Sequence, residues 1–171
     1  MRGSVWRYRC GLALATAGLL AGAVQAATAP AEHSRFADDN DGRDWAAWGR
    51  SFSEQRYSPL ETLNKENGDN LVPAWAFSLG GEKQRGQETQ PLIYDGIMYI
   101  TGSYSRLFAI DVKTGKEIWQ YDARLPDGIM PCCDVVNRGV ALYDDKVIVG
   151  TLDAKLVALN KDTGKPMWIK K

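Results

Sequence analysis

The second half of the sequence repeats itself. Tyr94-Asp95 leads through Leu107-Phe108-Ala109-Ile110-Asp111 to Thr114-Gly115-Lys116 and Trp119. At a constant offset of 49 residues, and without a gap, Tyr143-Asp144 leads through Leu156-Val157-Ala158-Leu159-Asn160 to Thr163-Gly164-Lys165 and Trp168. Self-similarity at a period near 50 marks propeller blades and repeat arrays, in which each unit buries its apolar face only by stacking on the next. Each unit reads as strand, turn, strand, tight turn at Asp/Asn-x-x-Thr-Gly-Lys, then a strand carrying the tryptophan. Gly115 and Gly164 supply the positive φ that such hairpin turns require. Trp119 and Trp168 are large rings at equivalent positions and are expected to pack between neighbouring units. Trp75 is expected to close an earlier copy of the pattern.

An all-β fold is therefore expected over residues 45–171, as the N-terminal blades of a β-propeller. A propeller needs typically four to eight four-stranded blades. At roughly 50 residues per unit the sequence holds two complete repeats and part of a third, so the expectation is an incomplete ring, the opening portion of a larger one. Ahead of the repeats, Trp45 and Trp48 read as anchors of a segment that ends at Pro59. Residues 62–70 then read as a short helix or turn, and residues 71–79, Leu-Val-Pro-Ala-Trp-Ala-Phe-Ser-Leu, alternate as a strand does.

Residues 1–26 carry a different signal. Arg2, Arg7 and Arg9 precede an apolar run over residues 10–24, and Val24-Gln25-Ala26 offers the small-x-small pattern of a signal-peptidase site. The run is shorter than the roughly 20 residues that span a bilayer. The expectation is a cleaved secretory signal, an exported chain that does not span the membrane afterwards, and a periplasmic location. Residues 27–44, rich in Ala, Pro, Asp and Asn, read as a solvated leader. Their Asp/Asn cluster around Gly42 does not have the spacing of an EF-hand loop and reads first as an acidic turn. The 21 Lys and Arg balance the 21 Asp and Glu, which leaves no basic footprint for nucleic acid.

With the signal removed, Cys132 and Cys133 are the only cysteines. Neighbouring Cα atoms lie about 3.8 Å apart, short of the roughly 4.4–6.8 Å of ordinary disulfides. Two states are open to them: a small strained ring, stiff and flat enough to face a planar ligand, or two free thiols at a strand end. Export to an oxidising compartment favours the first.

Several strings taken together carry a family resemblance. They are residues 80–91 (Gly-Gly-Glu-Lys-Gln-Arg-Gly-Gln-Glu-Thr-Gln-Pro), Thr101-Gly102-Ser103-Tyr104-Ser105-Arg106-Leu107-Phe108-Ala109, Arg124-Leu125-Pro126-Asp127 and, above all, Pro131-Cys132-Cys133-Asp134-Val135-Val136-Asn137-Arg138-Gly139. The chain resembles the quinoprotein alcohol dehydrogenases from about Gln55 to Lys171, most of all their soluble periplasmic ethanol-oxidising branch. The resemblance implies an eight-bladed propeller with tryptophan-docking repeats. It would hold pyrroloquinoline quinone (PQQ) and Ca²⁺, oxidise primary alcohols to aldehydes, and pass electrons to a periplasmic cytochrome c. It also implies a disulfide between Cys132 and Cys133 lying against one face of the quinone, with Glu88 and Arg138 binding the cofactor. A planar guanidinium suits a carboxylate of that planar tricarboxylate. The residues admit plainer roles too: Arg138 bracing Asp134 or Asp127, Glu88 as a solvated edge charge. Asp134 and Asn137 are expected to satisfy loop backbone groups.

The pattern departs from the family in what it lacks. The calcium-binding Glu and Asn, the Asp taken as general base and the Trp under the other quinone face have no counterparts here, so no catalytic residue is assigned and the chain is expected to be inactive alone. The sole histidine, His33, lies in the leader, which excludes a histidine relay. Two rivals stand beside the enzyme reading. One is a non-enzymatic propeller module for binding or assembly, for which the Cys-Cys-Asp-Val-Val-Asn-Arg string has no use. The other is a partial chain completed by a second polypeptide.

Overall fold

The computed structural model describes residues 42–80 and 86–171. The expected signal peptide, His33 and most of the leader, with its Asp/Asn cluster, lie outside the described residues, as do residues 81–85.

The repeat becomes two four-stranded antiparallel sheets, each joined in simple sequence order. The first comprises β1 (Leu92–Tyr94), β2 (Ile97–Gly102), β3 (Arg106–Asp111) and β4 (Glu117–Tyr121). The second comprises β5 (Ala141–Tyr143), β6 (Lys146–Gly150), β7 (Leu156–Asn160) and β8 (Pro166–Lys170). Sequence equivalence extends to irregularities. The β3–β4 register shifts between Ala109 and Ile110 and the β7–β8 register between Ala158 and Leu159, at matching repeat positions.

The turn joining β3 to β4 is built by a side chain. Asp111 Oδ1 accepts from the Thr114 amide at 2.7 Å and its hydroxyl at 2.8 Å, and these bonds hold the Asp111 carboxyl below the ordinary aspartate range. Asn160 Oδ1 accepts from Thr163 in the same way, at 3.0 and 2.9 Å. An acceptor oxygen is what the turn needs, and it works without a charge.

Each turn receives a tryptophan from the preceding unit. Trp119 Nε1 donates to the Lys161 carbonyl at 2.9 Å, and Trp75 Nε1 donates to the Val112 carbonyl at the same distance. The rings lie against the turn glycines so closely that a Cβ on Gly164 would sit 2.6 Å from the Trp119 ring, and one on Gly115 would sit 2.6 Å from Trp75. These glycines are therefore fixed twice, by φ of +66° and +69° and by the indole above them.

Between the sheets one face of the first, Tyr94, Tyr99, Leu107, Ala109 and Trp119, packs on Val147, Val149, Val157 and Leu159 of the second. The opposite face of the first sheet is covered by residues upstream, with Phe77 edge-on to Phe108 at 5.6 Å. Those upstream residues do not pair as expected. Residues 71–79 form no strand, and most of 71–76 is exposed. Alternation itself persists, with Trp75, Phe77 and Leu79 half-buried and Ala76 and Ser78 exposed, but Pro73 removes a ladder donor and the segment is held by its rings, Trp75 on Val112 and Phe77 on Phe108, rather than by a strand ladder. The short helix over residues 62–70 is confined to one 3₁₀ turn, Gly68–Asn70.

Substituting Gly164→Ala is expected to cost roughly 2–5 kcal/mol, from about 1–2 of left-handed strain and about 1–3 of overpacking. Gly96→Ala, at φ +76° with open space around it, should cost only the strain, roughly 1–2 kcal/mol. Denaturant unfolding of the two variants checks this. Equal losses would mean that the indole does not press on the turn.

Candidate functional site

Antiparallel order brings the start of β1, the β2–β3 turn and the exit of β4 to one end of the first sheet, and the start of β5 and the β6–β7 turn to the same end of the second. Both strings that carry the candidate residues cross this end.

Residues 86–91 run across the top of β2. The Gln87 side-chain amide donates to the Thr101 carbonyl at 2.6 Å, the hydroxyls of Thr89 and Thr101 share a hydrogen bond at 2.7 Å, and the Ser103 hydroxyl donates to the Gly86 carbonyl at 3.2 Å. Residues 131–139 fold down beside them because Val135 and Val136 are buried, 2% and 7% exposed. The Tyr104 amide donates to the Val135 carbonyl at 2.9 Å. Gln90 and Gly139 form a parallel bridge, and the Gln90 amide donates to the Arg138 carbonyl at 3.2 Å. Gly139, at φ +124°, comes so near that an added Cβ would lie 2.9 Å from the Gln90 carbonyl oxygen.

Asp134 and Asn137 behave as the sequence suggested. Asp134 Oδ1 accepts from the Val135 amide at 2.8 Å, and Asn137 accepts from the Gly139 amide at 3.1 Å while its amide donates to the Gly150 carbonyl at 2.8 Å.

With the valines turned inward, Cys132 and Cys133 face solvent. They are thiols here, in mutual hydrogen-bond contact at Sγ···Sγ 2.8 Å. The hydrogen bond with Cys132 pushes the Cys133 thiol up from its ordinary range; the Arg138 charge pulls it down and Glu88 pushes it up. All four candidates thus share one neighbourhood. Arg138 and Glu88 also meet directly, Nη2 to Oε2 at 2.8 Å, with side chains 61% and 52% exposed. The brace considered for Arg138 exists, but its carboxylate is Glu88. An exposed pair of this kind contributes about 0–1 kcal/mol, so it yields readily to a stronger anion.

Two participants were not singled out from the sequence. Thr101 is fully buried, 0% exposed, at a position where Ile97 and Tyr99 set an apolar stripe; a hydroxyl in that stripe is the signal that marks it. Arg106 is 5% exposed, its Nε donating to the Ser103 carbonyl at 3.0 Å and its guanidinium 5.8 Å from the centre of the Phe108 ring. Among the described residues no cluster of three or more His, Cys, Asp or Glu side chains could hold a metal ion, and no helix is long and apolar enough to cross a membrane.

Sheets of four strands interlocked by a tryptophan on a glycine turn define blades of a β-propeller, and solved structures agree. Quinohemoprotein alcohol dehydrogenase from Comamonas testosteroni superposes with a TM-score of 0.70 at 46% identity, over 74% of this chain and 19% of that one. A europium-containing methanol dehydrogenase superposes with a TM-score of 0.73 at 34% identity, over 82% of this chain and 24% of that one. The family model described as PQQ, glucose/ethanol/alcohol dehydrogenase, beta-propeller domain, matches residues 45–168. The chain belongs to this family. Among its relatives, quinoprotein alcohol dehydrogenase PedH of Pseudomonas putida is 62% identical over 156 residues, 91% of this chain and 26% of the relative. Quinoprotein ethanol dehydrogenase of Pseudomonas aeruginosa is 58% identical over 134 residues, 78% of this chain and 22% of the relative. The chain spans about a quarter of the length of these relatives, and the two sheets among its described residues are too few to close a ring.

In the reduced protein, Cys132→Ala removes the largest influence raising Cys133. The thiolate is the reactive form, so alkylation of Cys133 by iodoacetamide at pH 8 should speed up, and Arg138→Gln should slow it. Unchanged rates would mean that the thiols and the ion pair do not communicate.

Proposed function

We propose that this chain contributes one wall of a PQQ site in an exported, periplasmic alcohol dehydrogenase that oxidises primary alcohols to aldehydes, requires Ca²⁺, and passes electrons to a cytochrome c. The observation that carries the reading is the meeting of Glu88, Cys132, Cys133 and Arg138 at one end of the blades. The residues fit the cofactor's chemistry. PQQ is a planar tricarboxylate, and an exposed guanidinium paired with an exposed carboxylate can take one carboxylate bidentately. Two exposed sulfurs beside it offer a polarizable, apolar surface for a ring face.

Within this chain Arg138 would bind and orient the anion, Glu88 would hydrogen-bond a carboxyl or ring group of the cofactor beside it, and the sulfurs, closed into a vicinal disulfide after export, would exclude water from one face. When bound, PQQ supplies the two-electron acceptor that amino-acid side chains do not. The names of the relatives, ethanol and 1-butanol dehydrogenases among them, support a short primary alcohol as substrate. Calcium is proposed from the family resemblance alone, with ligands outside this chain.

One observation also supports completion by further blades, whether on a second polypeptide or in additional length. Tyr143 and Leu156 are 44% and 46% exposed, whereas their repeat equivalents Tyr94 and Leu107 are 5% and 0% exposed. The outward face of the second sheet has the chemistry of a covered one.

The mature chain should bind PQQ in equilibrium dialysis, with Arg138→Gln weakening binding at least about tenfold, the worth of a lost charge-assisted pair. Supplied with PQQ, Ca²⁺ and a dye acceptor, it should show no ethanol oxidation alone. Purified without reductant, it should weigh about 2 Da less than after reduction, the two hydrogens lost when an S–S bond forms. Absence of binding would defeat the cofactor reading, turnover would defeat the inactivity, and equal masses would defeat the bridge.

A further inference from the structure

The strings bearing Glu88 and Arg138 touch each other through few bonds, and one side chain stands at their crossing. Thr101 is the last residue but one of β2 and is fully buried. Its hydroxyl shares a hydrogen bond with the Thr89 hydroxyl at 2.7 Å and donates to the Asn137 carbonyl at 3.2 Å. Its amide donates to Thr89 Oγ1 at 3.2 Å, and its carbonyl accepts from the Gln87 side chain at 2.6 Å. Thr89 follows Glu88, and Asn137 precedes Arg138.

A hydroxyl has one proton to give and two lone pairs to receive with. If Thr101 donates to the Asn137 carbonyl, it must accept from Thr89, and Thr89 Oγ1 is left to accept from the Thr101 amide. That assignment satisfies both hydroxyls and the Thr101 backbone, and gives the chain of bonds one direction, from Thr89 through Thr101 to Asn137. Remove the central hydroxyl and the Asn137 carbonyl loses that donor, while the Thr89 proton loses its acceptor in a half-buried place.

We propose that Thr101 is the positioning residue of the site: it fixes the spacing and register of the Glu88 and Arg138 strings, and so sets the ion pair that awaits the cofactor's carboxylate. It touches neither partner of that pair and acts only through Thr89 and Asn137. The inference rests on the PQQ reading for its purpose, but not for its geometry. Other bonds between the strings, such as that from the Gln90 amide to the Arg138 carbonyl at 3.2 Å, depend on the alignment that the hydroxyl imposes.

The test compares Thr101→Val, which keeps the shape and loses the hydroxyl, with Thr101→Ser, which keeps the hydroxyl. Amide hydrogen exchange of the whole chain is read at Gln90, Tyr104 and Gly139, against the amides of β6 and β7 as internal reference. In the valine variant the three loop amides should exchange at least about tenfold faster while the reference amides stay within about twofold, and serine should restore them. PQQ dialysis of the same proteins should show weaker binding with valine and near-normal binding with serine. Uniform acceleration across loops and sheets would reduce Thr101 to a core residue and overturn the proposal, as would unchanged loop exchange with valine. If the parent chain does not bind PQQ, the cofactor reading fails by itself, and the exchange pattern still decides whether Thr101 sets the crossing.

Discussion

The arrangement depends on a tryptophan of one sheet seated on a glycine turn of the next. Trp119 brings three things to that contact: a flat ring against Gly164, an N–H for the Lys161 carbonyl at 2.9 Å, and a rigid tether to β4. Tyr99 aims its hydroxyl at the same carbonyl at 3.4 Å, and burial raises that phenol far above its ordinary range. Large-to-small changes of buried aromatics cost about 3–5 kcal/mol. The interlock therefore adds a directional contact to the aliphatic packing and fixes the angle between neighbouring sheets. That angle determines how residues 131–139, strung between the two sheets, meet residues 86–91 at the opposite end from the turns.

The site follows from that meeting. Burial of Val135 and Val136 is the anchor, and it forces the cysteines on one side and Arg138 on the other outward. Gly86 and Gly139 permit the close approach: a Cβ on Gly86 would lie 2.8 Å from Val136 Cγ1. The result is an exposed cation, an exposed anion and two sulfurs held by a rigid base. Such exposure is costly to leave unused only for the apolar components; the charges are solvated and wait at little expense.

Much of this was legible in the residues. A gapless 49-residue repeat announced the strands, the turns and the role of Trp119, because Asp111 and Asn160, Gly115 and Gly164 occupy positions whose local chemistry admits few conformations. The Cys-Cys-Asp-Val-Val-Asn-Arg string supplied three of the four candidate side chains that the structure brings together. What the sequence did not yield were relations across distance. Residues 71–79 alternate like a strand, yet strand formation needs a neighbour with free backbone groups, and here ring docking by Trp75 and Phe77 takes precedence. The pairing of Glu88 with Arg138 joins positions 50 apart, and no local rule selects Glu88 over Asp134 or Asp127. Thr101 hid inside an apolar stripe, where its hydroxyl reads as β-propensity until its partners are seen.

The central claim is that this end of the blades is shaped for a planar polycarboxylate. Chemical-shift mapping of the ¹⁵N-labelled, oxidised mature chain on titration with PQQ tests it most directly. The account predicts that the shifts concentrate at Glu88 to Gln90 and at Cys132 to Gly139, with the Arg138 guanidinium among the largest. Shifts centred on the turns at Thr114 to Lys116 and Thr163 to Lys165, or none at all, would contradict it.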